Sequence, residues 1–440
     1  MTSALSRPNP APSQRVGPSA ATGPQHRGIF YGWVIVGCAF TILCIAYGLQ
    51  FSFGVFMPYI SADTGWDRGA LSLPFSVYVF VYSALGLVSG RLTDRWGPRV
   101  VLITGGCLLG IGTMLISRVG VLWQLYVVLG LLAASGMSAA YVPCNATVVR
   151  WFSIRRGLAL SIASAGASFG MFVFPPLSTA LIAGHGWRGA YFILGLLAVC
   201  TIVMCASFVV RDPAAIGLHP DGLSQDLLSE LQVTARIADE QSFTLREARR
   251  TRAFWLVNLI FGLTWLVVFM PMVHIVPFAI DMGISPFRAA MTIGVIGFAG
   301  FGGRLTIGTL SDRFGRMATL GACLVLQALS FAGFTVSSEL VLLYVAAGMF
   351  GFSYGGVTAL FPALVGDFFR LAEIGSIVGF IFAVAGSSAA FGPLIAGFIY
   401  NSAHTYTAAF DLSAGLNLTA LFLLFLLKKP EKYVPETASR

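Results

Sequence analysis

The sequence predicts an all-α membrane protein, with twelve transmembrane helices in two six-helix bundles, and three observations carry that expectation. The first is composition: of 440 residues, 57% are hydrophobic and 10% charged, with a mean hydropathy of +0.82, whereas soluble domains carry about a quarter charged residues. The second is a series of apolar stretches, each long enough at about 1.5 Å per residue to cross a hydrocarbon core of roughly 30 Å. The third is an internal repeat at a constant offset of 218 residues. A net charge of +9 invites nucleic acid as a partner, but so apolar a chain has no broad solvated basic face for a phosphate backbone. The expected surroundings are a lipid bilayer, with no nucleic acid.

Residues 1–29 are rich in Pro, Ser, Ala and Gly and lack the apolar core of a secretion signal, which predicts a disordered cytosolic tail. Six spans follow within 30–210: 30–56, 70–92, 99–117, 121–148, 157–183 and 189–210. A polar stretch at 211–252 reads as a cytosolic connector. Six more spans lie within 253–427: 253–280, 287–310, 317–337, 339–366, 374–400 and 407–427, before a basic cytosolic tail at 428–440. With the N-terminal tail inside, 22 of the 27 Lys and Arg fall on the cytosolic side, four (Arg68, Arg118, Arg188, Arg288) fall outside, and Arg304 falls within a span. The positive-inside rule therefore places both termini in the cytosol of a multi-pass protein of the cell (inner) membrane. The seven cysteines sit in apolar runs without CxxC spacing or clustered histidines, so no disulfide, metal or cofactor is expected.

The two sets of six look like copies. Gly90, Asp94, Arg95 and Gly97 after the second span match Gly308, Asp312, Arg313 and Gly315 after the eighth, in a shared G-x-x-x-D-R-x-G run. Leu125, Tyr126 and Gly130 match Leu343, Tyr344 and Gly348 at the same offset, as Pro175 matches Pro393. Such doubling implies two bundles related by an axis along the membrane normal, with a ligand site near the midplane between them.

This doubled loop, the twelve spans and the central connector resemble the major facilitator superfamily from about residue 30 onward. Within it, the run from Trp151 and Phe152 through Arg155, Arg156, Leu158, Ala159, Ala163 and Ala165 to Gly166 is similar to a signature of the monocarboxylate porter family, with Ser161 replacing one glycine. Tyr31, Gly32 and Trp33 resemble the bacterial form of that family's other signature. The resemblance implies the major facilitator fold, no enzymatic activity, and proton-linked carriage of lactate-like or pyruvate-like anions. It also implies a substrate arginine on the eighth helix, where this chain has Arg304. Many members carry an aspartate four residues before that arginine; here the position is Gly300.

The residues themselves point to the same anion site. An arginine at a helix centre costs about 2.5–3.5 kcal/mol on insertion scales and is retained to face a pathway or partner; snorkelling toward the interface is the competing reading. Gly297, Gly300 and Gly308, with Gly302 and Gly303 alongside, suggest room for a small ligand to reach the guanidinium, whose fork matches a carboxylate. With no other Lys or Arg inside a span, a dicarboxylate would leave one charge unpaired, which favours a small monocarboxylate anion. Oxalate exchangers, close relatives by resemblance, bear an additional lysine on the eleventh helix that this chain lacks. Further pocket candidates share helix faces: Ser138, Tyr141 and Asn145 on the fourth span, Tyr354 and Thr358 on the tenth. Each also suits helix-to-helix hydrogen bonding.

A proton partner needs a titratable group. Asp281, at the outer end of the seventh span, and His274, seven residues earlier between Pro271 and Pro277, are the candidates; pairing of Asp281 with Arg304 would require a bent seventh helix. Asp94, Arg95, Asp312 and Arg313 are the expected gating charges, latching the cytosolic faces when the carrier opens outward. Organic-anion exchange or uniport of the oxalate/formate type is the alternative function. Drug efflux fits less well, since the fifth span shows Phe174, Pro175, Pro176 and Leu177 where superfamily exporters typically carry a Gly-Pro-x-x-Gly-Gly run.

Overall fold

The computed structural model describes residues 30–222, 243–369 and 374–430. The N-terminal tail, the middle of the connector and most of the C-terminal tail lie outside the described residues. Long helices follow one another in the expected order: α1 (Tyr31–Thr64), α2 (Arg68–Trp96), α3 (Pro98–Ile116) and α4 (Leu122–Trp151). The fifth and sixth spans arrive as one run, Arg156–Ser207, broken at Gly186, whose φ of 67° and ψ of 170° lie outside the helical region and in the half of the map that glycine alone enters freely. The pieces are α5 (156–185) and α6 (187–207). After the connector come α7 (Arg252–Asp281), α8 (Pro286–Phe314), α9 (Arg316–Val336), α10 (Leu340–Phe369), α11 (Ile377–Ala403) and α12 (Thr407–Phe425). Twelve crossings result, six on either side of the connector, and the described residues contain no strand. A helix satisfies most of its backbone polar groups internally, as a bilayer requires, and large apolar side chains such as Phe298, Phe422 and Phe425 stand exposed where lipid would cover them.

Local sequence explains the joints. Asp67 caps α2 by accepting from the Ala70 N–H at 2.7 Å, and Thr251 caps α7 through the Phe254 N–H at 3.2 Å. The doubled G-x-x-x-D-R-x-G run makes the same turn twice: Gly97 has φ 84° and bonds back to Thr93 O, while Gly315 has φ 85° and bonds back to Ser311 O. Any L side chain at either glycine would be strained, which is why the run ends on one. The two signature runs also meet. Tyr31 and Trp33 lie against Trp151 and Phe152, with ring centroids 5.5 and 5.0 Å apart, and the Tyr31 hydroxyl donates to Phe208 O at 2.8 Å, tying α1, α4 and α6 into one aromatic knot.

Small residues let helices touch backbone to backbone. A Cβ added to Gly166 or Gly170 of α5 would lie 2.1 Å from Phe40 O or Cys44 O of α1. In the second half, a Cβ at Gly303 would lie 2.1 Å from Phe352 O, and one at Gly355 2.1 Å from Gly300 O, so α8 and α10 pack with nothing between them. The halves themselves meet where α2 lies against α11, α5 against α8 and α1 against α7. A cavity of about 20 Å³, lined in part by Gln50, Tyr78 and Thr113, lies within the first half and has room for water alone.

Candidate functional site

Arg304 stands on α8 at the seam with α5. Its guanidinium donates to Ser164 O at 2.6 Å, a bond that crosses from one half to the other, while its Nε is buried with no acceptor. Asn145 of α4 accepts from the same Ser164 through its hydroxyl at 3.4 Å, and the Asn145 Nδ2 is likewise buried without a partner. Two orphaned donors thus flank one serine at the junction of the halves. An unmet buried donor is costly, and an arriving carboxylate has the lone pairs to satisfy both. Tyr354 of α10 lies within electrostatic range of the guanidinium, and Tyr47 of α1 lies within the same range of Arg304, Tyr82, Tyr141 and Tyr354.

Of the nominated pocket residues, Asn145 connects to Arg304 through Ser164, Tyr354 lies within electrostatic range of Arg304, and Tyr141 lies within that range of Tyr354. The Ser138 and Thr358 hydroxyls instead donate to carbonyls of their own helices, Ser135 O at 2.7 Å and Gly355 O at 2.8 Å, and the Ser138 carbonyl takes the Ser89 hydroxyl of α2. The glycines near Arg304 also act otherwise than expected. Gly297 lies against Ser168 O and Met171 of α5, and Gly300 and Gly303 against α10; Gly302 and Gly308 alone face open space. Their small size serves helix contact more than ligand approach, because two backbones must pass where α8 crosses its neighbours. A Cβ at Gly300 would meet Gly351 O at 3.2 Å, so a side chain at this position would need its neighbour to give by a few tenths of an ångström.

The second cluster lies at the end of the bundle opposite the connector. Arg68 of α2 grips Asp281 of α7 with both arms, at 2.6 and 2.7 Å, and lies over the Tyr400 ring at 4.1 Å. It also donates to the Tyr406 hydroxyl at 3.1 Å; that hydroxyl is 3.0 Å from His274 Nδ1, and His274 Nε2 is 2.9 Å from Pro393 O. A carbonyl only accepts, so Nε2 of the fully buried ring carries a proton, and in the neutral imidazole Nδ1 accepts from Tyr406. Asp281 and His274 are thus joined, through Arg68 and Tyr406, in a chain that spans both halves. Asp281 does not approach Arg304: α7 runs on through Pro271 and Pro277 to its end.

Beside this chain, Asn401 Nδ2 donates to Asp67 at 2.8 Å and its carbonyl accepts from the Gly69 N–H at 3.3 Å, which closes the same end. The Ala70 N–H, and then the Asn401 amide, hold the Asp67 carboxylate below its ordinary range. A lowered acid pKa keeps this contact engaged above and through the ordinary carboxylate range, and loses it only as pH falls through the lowered value. Closure that responds to pH between ~5 and 8 must therefore draw on a group other than Asp67. Asp281→Asn is expected to loosen the clasp: a cysteine placed at Asn401 should react several-fold faster with an impermeant maleimide, and an unchanged rate would show that the pair does not hold this end shut.

At the connector end the charge pairs stay within a half. Asp94 pairs with Arg150 at 2.8 Å, and Arg316 with Asp367 at 2.7 Å; among the described residues Arg95, Asp312 and Arg313 join no ion pair. Sequence reasoning missed Tyr47, Arg68, Ser164 and Tyr406. Arg68 and Asp281 lie 213 positions apart, and no local spacing announces a pair of that kind.

With this geometry in place, comparison with known proteins is decisive about ancestry. The Major Facilitator Superfamily profile matches residues 39–320 and 303–440. The chain belongs to the major facilitator superfamily. Among curated relatives it is similar to Monocarboxylate transporter 11 of Homo sapiens, 29% identical over 94% of this chain and 86% of that protein. It is also similar to Monocarboxylate transporter 13 of Rattus norvegicus, 28% identical over 90% and 89%. Among solved structures, the bacterial homolog to the human lysosomal transporter Spinster, in an inward-facing and unoccupied conformation, matches with a TM-score of 0.67, at 14% identity over 90% of this chain and 95% of that one. At that identity the likeness speaks for the fold, which the superfamily member shares.

Proposed function

We propose that this superfamily member carries small monocarboxylates of the lactate and pyruvate kind across the cell membrane by alternating access, in symport with a proton, with both termini cytosolic. The observation that supports this most is the pair of orphaned donors, Arg304 Nε and Asn145 Nδ2, at the seam between the halves. One fixed cation suits one carboxylate, and the named monocarboxylate transporters among its relatives agree with that charge. With the connector in the cytosol, the clasped end is the outer one. Carboxylate binding then competes with the bond from Arg304 to Ser164, so substrate loosens one seam contact as it arrives.

Protons enter this reading through His274. A second proton on Nδ1 displaces the hydrogen bond from Tyr406, whose hydroxyl already accepts from Arg68, and so weakens the outer clasp. External acid would in this way favour the outward-open carrier, and one proton with one carboxylate leaves the moving assembly without added charge. Asp94, Arg95, Asp312 and Arg313 would latch the cytosolic faces in that outward state.

The test is uptake of labelled L-lactate, with pyruvate, acetate and oxalate as competitors, into proteoliposomes with and without an outside-acid gradient. Uptake should rise several-fold with the gradient and yield to monocarboxylates more than to oxalate. Uptake indifferent to the gradient would remove the proton and leave exchange or uniport; absence of any uptake or competition by these acids would sink the substrate class.

A further inference from the structure

The proposed site leaves open what the carboxylate is attached to, and the walls around Arg304 bear on that. Resting on the monocarboxylate reading, we infer that the preferred cargo is an aromatic carboxylic acid without an ammonium group, its carboxylate on Arg304 and its ring against Tyr141 and Phe382.

Rings from five helices converge here. Tyr141 of α4 and Phe382 of α11 face each other across the halves with planes 3° apart and centroids separated by 5.9 Å. Tyr47 of α1 meets Tyr141 edge-on at 6.3 Å, and Trp265 of α7 meets Phe382 edge-on at 5.2 Å. Tyr354 of α10 lies within electrostatic range of both Tyr141 and the guanidinium. Tyr141 lies between Tyr47 of α1 and Phe382 of α11 and is 37% exposed, so part of it is left uncovered. A spacing of 5.9 Å is too small for a third ring to slide between the pair, so the cargo ring would stack on the uncovered part of Tyr141 or meet Phe382 edge-on.

A two- or three-carbon acid has little with which to use such walls. The Ser138 and Thr358 hydroxyls that might have held an α-hydroxyl or keto group are engaged with their own helices. A phenyl or indole ring matches flat aromatic surface, offset-stacked or edge-on. Charge narrows the class further. The described acids lie toward helix ends and connecting loops, and Asp281, the acid of α7, is held by Arg68. An α-ammonium would stand beside Arg304 with no carboxylate to balance it, which disfavours aromatic amino acids against aryl-acetates and aryl-pyruvates.

The experiment measures inhibition of labelled substrate uptake, and thermal stabilisation of the purified protein, by phenylacetate, phenylpyruvate, indole-3-acetate, cyclohexylacetate, phenylalanine, L-lactate and acetate. The inference expects the arylated acids to act at concentrations about tenfold or more below those of acetate and lactate, ahead of cyclohexylacetate, with phenylalanine ineffective. Phe382→Leu should shrink the ratio of phenylacetate to acetate potency about tenfold, and Phe382→Tyr should restore it. Equal potency of phenylacetate and acetate, or a ratio that Phe382→Leu leaves intact, overturns the aromatic cargo while the monocarboxylate reading stands. Potent phenylalanine overturns the exclusion of the ammonium. If none of these acids acts on the wild type, both readings fall together.

Discussion

Arg304→Ala is expected to abolish uptake, with a loss of at least about a hundredfold, while the protein keeps or gains thermal stability. The two halves of this expectation have one cause. The arginine is taken from water into a helix centre, where its Nε finds no acceptor and a single bond to Ser164 O answers a group with five donors. Removing a partly buried, partly paired cation relieves a desolvation cost, so the empty fold does not suffer. Substrate loses its only counter-charge inside a span, and truncating one partner of a buried charge pair costs about 2–5 kcal/mol, which sets the size of the loss. Arg304→Lys should recover little, since a point charge cannot reproduce the fork. Uptake in proteoliposomes and a melting curve of the same preparation decide the matter. A melting temperature that collapses together with transport would recast Arg304 as a structural residue.

Gly54 and Gly355 should respond to the same substitution in opposite ways. A Cβ at Gly355 falls 2.1 Å from Gly300 O within the second half, a contact that persists as long as that half is folded. Gly355→Leu is therefore expected to cost stability outright, by about 3 kcal/mol or more, and to be seen as lost yield and lowered melting temperature. A Cβ at Gly54 falls 2.3 Å from Val273 O, across from α1 to α7, in the part of the bundle that closes beneath Arg68 and Asp281. Two halves that move apart at this end have no such clash. Gly54→Leu should fold, bind its anion and fail to carry it, held with the Arg68 end open. Thiol accessibility at that end, set beside the melting curve, separates the outcomes. A Gly54→Leu protein that transports normally would show that α1 and α7 need not close this tightly.

Much of the architecture can be read without coordinates, and the reason is local. Apolar length marks each crossing, because lipid demands that a backbone satisfy its own hydrogen bonds. The repeat at 218 residues foretells two matching turns, and Gly97 and Gly315 make them with φ of 84° and 85°. The break at Gly186, which splits one continuous helical run into two crossings, was also visible as a gap between apolar stretches. Arg304 announces itself as a lone cation in an apolar run.

The contents of the site are another matter. Helical periodicity says which residues share a face, but not what that face meets. Tyr141, Asn145 and Ser138 share a stripe of α4, yet Tyr141 and Asn145 turn to the seam while the Ser138 hydroxyl bonds back to its own helix. Asp281 and His274 stand out as titratable groups near one helix end, but their connection runs through Arg68 on α2 and Tyr406 on α12. The glycines around Arg304 suggest open space until α10 and α5 are laid against them. Composition and spacing record what each helix requires of its solvent and of its own backbone. Partners more than a hundred positions apart are chosen by packing, when side chains from several helices compete for one volume.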